Sequence, residues 1–201
     1  KVKECATTNS KVVITVCGGS GVGKSEIASL LAHYFENMGV GCYTLSGDNY
    51  PYRIPVYNDA ERLRIFRESA IRGMITDGEY SFERFNIIHQ YQLENKDSEP
   101  KNIVKYPWYE SYIRNGAMGL QGYLGTEKEI NFFEIQNIVK EFKSGAEKIW
   151  LKRMGREDTE LWYEEVDFSE KDILIIEWTH GNSKNYTGVD IPVLLNSRSE
   201  E

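Results

Sequence analysis

Cysteine, histidine and proline are all scarce in this sequence, at three, three and five of 201 residues. Cys5, Cys17 and Cys42 stand far apart, and two of them fall in apolar, strand-like runs. Such spacing argues against a disulfide scaffold or a metal-ligand motif and suits buried thiols in a reducing compartment. Long apolar runs are missing as well: none reaches the length of a membrane span, and the first residues lack the apolar core of a secretion signal. The expectation is a cytoplasmic protein with no membrane partner. Positive charge is also in short supply. With 24 Lys and Arg against 31 Asp and Glu, the net charge is -7, which disfavours a sequence-independent partnership with nucleic acid. Small molecules are the expected ligands, and a homo-oligomer stays open.

Glycine, by contrast, is concentrated in one place. Gly18-Gly19-Ser20-Gly21-Val22-Gly23-Lys24-Ser25 fits G-x-x-x-x-G-K-[ST] and follows the apolar run Val12-Val13-Ile14-Thr15-Val16. A chain wraps closely around a phosphate tail only where Cβ atoms are absent, and its N–H groups then point inward. Lys24 can reach the β- and γ-phosphates, the Ser25 hydroxyl suits Mg²⁺, and Glu26 continues into a helix whose N-terminus favours anions. The expected ligand is a nucleoside triphosphate. Its context agrees, because Ile27, Leu30, Leu31, Tyr34, Phe35 and Met38 recur at helical spacing before Gly39.

Residues 11–17 predict a central parallel strand and residues 40–46 a second, ending in Gly47-Asp48-Asn49-Tyr50. Ligands of open α/β sheets sit outside the carboxyl ends of strands, so Asp48 is expected on the crevice of the phosphate loop. There it serves as a proton acceptor or a metal ligand, or else only shapes the turn. Asn58 or Asp59 is the expected cap of a helix through Met74, with Arg62, Arg64, Arg67 and Arg72 on its polar side. Residues 79–124 are aromatic and irregular, and the charged stretch 94–101 reads as a mobile loop. As a group they predict a mostly helical insertion, about 52–129, within a single domain.

A helix is expected over 131–142, and residues 148–154 and 159–168 predict a β-hairpin around Gly155-Arg156-Glu157-Asp158. Arg153 and Arg156, with Lys152, are candidates for substrate phosphates or for a charged hairpin edge. The apolar strand 172–176 delivers Glu177, a carboxylate well placed to orient Mg²⁺. His180 follows, a structural or a substrate-binding histidine, and residues 189–195 predict a last parallel strand.

Together the phosphate loop, Gly47-Asp48-Asn49-Tyr50, the hairpin and the Ile-Ile-Glu177 strand resemble the uridine kinase and phosphoribulokinase group of P-loop kinases. Leu45-Ser46-Gly47-Asp48-Asn49 also looks like the Asp-Gly-Asp-Asn of adenylylsulfate kinases, with Ser46 in place of the first aspartate. The resemblance implies a parallel sheet flanked by helices, ATP and Mg²⁺ as cofactors, and phosphoryl transfer to a substrate hydroxyl. It implies Asp48 as catalytic base or metal partner alongside Lys24, and Ser25 and Glu177 near the metal. Tyr50, Arg53, Arg153, Arg156 and His180 become candidates for substrate contact. Trp178 departs from the pattern by standing where the group usually has glycine, and the lid helix expected after the last strand does not appear before Glu201. An adenylylsulfate kinase-like enzyme, a regulatory NTPase and a silent nucleotide-binding module are the alternatives.

Overall fold

The computed structural model describes residues 11–196. Along them run β1 (Val12–Gly18), α1 (Lys24–Asn37), β2 (Cys42–Ser46), a 3-10 turn (Gly47–Asn49), α2 (Pro55–Thr76), α3 (Phe82–Leu93) and α4 (Asn102–Lys105). They continue through α5 (Tyr109–Gln121), α6 (Phe132–Lys143), β3 (Lys148–Met154), β4 (Leu161–Asp167), β5 (Ile173–Glu177) and β6 (Ile191–Leu195). Cys5 and the polar first ten residues lie outside the described residues. By its contacts the chain divides into two units, which separate at Ile54/Pro55 and Glu129/Ile130.

The first unit is α/β. Its sheet has the strand order β2-β5-β1-β6, every pair parallel. All seven residues of β1 are buried, as expected for a central strand covered on both faces. Val13, Leu45, Leu174 and Ile176 meet Ile135, Ile138, Val139 and Phe142 of α6 on one face. Val12, Ile14, Val16, Ile173 and Ile175 meet Ala28 and Phe35 of α1 on the other. Each such Val, Leu, Ile or Phe side chain contributes about 1.5–3 kcal/mol by leaving water. The register aligns Val16 and Ser46 with Glu177, so three strands reach the same level at their carboxyl ends. β3 and β4 form a separate antiparallel pair, and Ile149 and Leu151 tie it into the core of the α6 face.

The second unit is helical, with Phe66, Ala70, Met74, Ile88, Tyr109 and Tyr112 at its centre. Its first helix starts earlier than the expected cap. Pro55 opens α2, because proline's fixed φ suits the first helical turn, where its missing N–H costs nothing. Asn58 instead turns inward, donating to Glu129 and accepting from the Tyr123 hydroxyl. The stretch 94–101, expected as a mobile loop, is pinned by Asp97, which is 1 % exposed and accepts hydrogen bonds from Arg67 and Tyr112. The arginines of α2 are likewise committed: Arg62 to Glu129, Arg64 to Glu61 and Glu68, Arg67 to Asp97, and Arg72 to Glu68. Among the described residues no helix is long and apolar enough to cross a membrane.

Candidate active site

The site grows from the end of β1. Gly23 caps α1 at φ 85°, a left-handed conformation that a residue with a Cβ rarely adopts. No side chain caps the helix there, so its first N–H groups are left for an anion. Lys24 folds back over the loop and donates to the Gly19 carbonyl at 2.8 Å. Residues 19–26 are exposed or half-buried, while the strand behind them is buried, so the loop faces outward from a rigid base. Glu26 is exposed in the first turn of α1.

Two acids stand at the same end of the sheet. Asp48 sits exposed on the 3-10 turn, two positions beyond the Ser46–Glu177 register pair. Burial, and then the neighbouring Asp48 charge, push the Glu177 carboxyl above its ordinary value. The Lys24 ammonium and a hydrogen bond with the Ser25 hydroxyl pull against that rise. One carboxyl therefore senses the lysine and serine of the phosphate loop and the second acid at once. Lys24 and Ser25 after β1, Asp48 after β2 and Glu177 closing β5 thus all stand at the carboxyl end of the sheet.

Asn49 links this turn to the hairpin. Its side-chain oxygen accepts from the Met154 N–H at 2.9 Å, and its amide donates to the Ser46 carbonyl at 3.3 Å. In the sequence Asn49 stands out only as a member of the Gly47-Asp48-Asn49-Tyr50 motif, without a role of its own. Trp178 is buried, and an added Cβ on Gly47 would lie 2.0 Å from its Cγ.

Several candidates are placed elsewhere or already occupied. Tyr50 is wholly buried in the core, its hydroxyl included, so it packs the turn rather than meeting a substrate. Arg153 donates to the Tyr43 hydroxyl at 2.6 Å and to Glu164 at 2.8 Å, which ties the hairpin to β2. Lys152 is buried and donates to the Pro51 carbonyl at 3.0 Å, with burial lowering its pKa. These two cations serve the fold, whereas the Arg156 side chain is exposed at the hairpin tip. Arg53 is half-buried, and His180 stands edge-on to the Trp178 ring at 5.3 Å. Cys17 and Cys42 are free, buried thiols; burial raises the pKa of both, that of Cys42 to about 11, which leaves them unreactive.

With this geometry in place, comparison with known proteins adds a relationship. A family model described as Zeta toxin matches residues 1–73. The bifunctional alpha-galactosidase/sucrose kinase AgaSK of Mediterraneibacter gnavus is 39% identical over 192 residues, which cover 96% of this chain. The matched region is only 16% of that protein's length. A crystal structure described as a "putative fructose transport system kinase" from Silicibacter sp. TM1040 aligns with a TM-score of 0.44 at 12% identity. That alignment covers 87% of this chain and 60% of the other, a likeness too distant to carry argument. The chain is similar to P-loop kinases. These names do not single out uridine kinase or phosphoribulokinase.

Proposed function

We propose that this chain is an ATP-dependent kinase that transfers the γ-phosphoryl group to a hydroxyl of a neutral sugar, with sucrose as the leading acceptor. The observation that carries the reading is that the phosphate loop after β1, Asp48 after β2 and Glu177 closing β5 all stand at the carboxyl end of one parallel sheet. The acceptor comes from the sucrose kinase relative, whose match spans nearly this whole chain. Glycoside hydrolysis needs a pair of carboxylates and no nucleotide. A matched segment that carries a phosphate loop therefore belongs with the kinase part of that name.

In this mechanism the amides of residues 18–25 and the N-terminus of α1 hold the polyphosphate, and Lys24 leaves Gly19 to follow the phosphoryl group. Asp48, the more exposed acid, accepts the proton of the attacking hydroxyl. The Ser25 hydroxyl and the two carboxylates are hard oxygen donors that fit Mg²⁺. Among the described residues no group of three or more His, Cys, Asp or Glu forms a metal cage, so a cation here would share its ligands with phosphate oxygens. When bound, Mg²⁺ neutralises charge on the β- and γ-phosphates.

The acceptor is read as a neutral sugar from the sucrose kinase relative, and Lys152 and Arg153, which are taken up by protein partners, do not argue for a phosphorylated one. The test is ATP consumption with sucrose, other neutral sugars, sugar phosphates, nucleosides or adenylylsulfate offered separately, with products identified by phosphorus NMR. A sugar monophosphate formed only with a neutral sugar supports the reading. Equal ATP turnover without any acceptor identifies an NTPase instead, and a product from adenylylsulfate alone identifies that kinase class.

A further inference from the structure

Gly47 and Trp178 are the chain neighbours of the two acids, one preceding Asp48 and the other following Glu177. A Cβ built on Gly47 would lie 2.0 Å from Cγ, 2.2 Å from Cδ2 and 2.5 Å from Cβ of Trp178, far inside any real contact. The indole has no room to withdraw. Trp178 is 2 % exposed, with the Phe132 ring 5.5 Å from its own and His180 edge-on, and its main-chain N–H donates to the Val16 carbonyl at 3.0 Å.

We infer that Gly47 and Trp178 form a positioning pair that sets the gap between Asp48 and Glu177 for a divalent cation shared with the nucleotide. The gap equals what an indole laid on bare backbone allows. A methyl group on Gly47 lifts the 3-10 turn, and Asp48 moves with it. Loss of the indole lets the same turn sink. Neither change touches Lys24, Ser25 or the amides of the phosphate loop, so nucleotide affinity without metal stays as it was. The inference rests on the kinase reading for the presence of the cation, but it concerns only how the acids are spaced.

The test measures Mn²⁺ binding to the full chain in the presence of ADP by electron paramagnetic resonance, with ADP binding in EDTA as the control. Gly47→Ala is expected to weaken Mn²⁺ by about tenfold or more, the scale on which support around a metal site acts, with ADP binding in EDTA unchanged. Adding Trp178→Gly to Gly47→Ala gives the methyl group room and recovers part of the loss. Mn²⁺ affinity equal to that of the parent in folded Gly47→Ala overturns the inference, as does a double variant with no recovery. If Gly47→Ala does not fold, Trp178→Phe decides: weaker Mn²⁺ supports the pair and unchanged Mn²⁺ overturns it. A parent chain that binds Mn²⁺ and ADP yet phosphorylates no sugar removes the acceptor reading and leaves the pair standing.

Discussion

The Asn49 side chain accepts a hydrogen bond from the Met154 N–H at 2.9 Å, joining the turn that carries Asp48 to the end of β3. Substituting Asn49 with Ala removes that acceptor and leaves a backbone donor without its partner. A neutral hydrogen bond of this kind is worth about 1 kcal/mol, which corresponds to roughly a fivefold effect. The expected outcome is a rise of that order in the KM for the acceptor, with the KM for ATP unchanged because the phosphate loop is not involved. Steady-state kinetics with each substrate varied in turn checks it, and a rise confined to the ATP KM would count against the link.

Lys24 is the only side chain of the loop that carries positive charge. Replacing it with Ala removes an interaction that strengthens as charge develops on the transferring group, so the loss is expected mainly in kcat. A drop of about 10²–10³ is the scale for deleting one such electrostatic partner. Circular dichroism should show the fold intact, since Lys24 is half-buried at the loop surface and the bond it donates there is to the Gly19 carbonyl. Undiminished kcat in a folded variant would place the chemistry elsewhere.

The parallel sheet, the hairpin and the phosphate loop are legible in the sequence because each is written in local spacing. Apolar runs mark β1 and β5, polar residues 155–158 mark the hairpin tip, and the glycines bracket Lys24. The position of Asp48 and Glu177 is legible for a related reason, since parallel strands bring their carboxyl ends to one side. What cannot be read locally is commitment to a distant partner. Arg153 looks like a free cation until Tyr43 and Glu164 claim it, and Lys152 until Pro51 does. Residues 94–101 look loose until Arg67 and Tyr112 close on Asp97. Trp178 reads as a departure from a glycine pattern, and only its contact with Gly47 explains how the chain accommodates it.

Asp97 gives the helical unit an acid sensitivity. Burial by itself would raise its carboxyl, but hydrogen bonds from Arg67 and Tyr112 outweigh burial and hold it below the usual carboxylate range. A carboxyl whose pKa is depressed by folding stabilises the folded state at pH values above its unfolded value, near 4. That contribution declines as the pH falls through this value toward the lower folded one. Urea unfolding of the parent should therefore weaken below about pH 4, and Asp97→Asn should flatten this part of the profile. At neutral pH the same substitution should cost about 2–3 kcal/mol, the scale of hydrogen bonds to a charged group. An unaltered pH profile in Asp97→Asn would show that another group governs acid unfolding.

Asp48 and Glu177 share one end of the sheet but have different surroundings, and the difference separates their roles. Glu177 is half-buried beside Ser25 and Lys24, whereas Asp48 is exposed on its turn. An acid that must meet an incoming hydroxyl has to be reachable, which favours Asp48 for the proton, while Glu177 is the acid committed to the metal alone and Asp48 borders the metal from the other side. Asp48→Asn keeps the shape of the side chain and leaves the Asn49 bond to Met154 in place, but it cannot accept the proton. The expected result is a fall in kcat of about 10²–10⁴, the usual contribution of a positioned base, with ATP binding retained. Glu177→Gln is expected to raise the Mg²⁺ concentration needed for half-maximal rate more than Asp48→Asn does. Measuring both variants across a Mg²⁺ series separates the two acids: if excess Mg²⁺ restores Asp48→Asn to the parent rate, Asp48 acts only through the cation and is not the base.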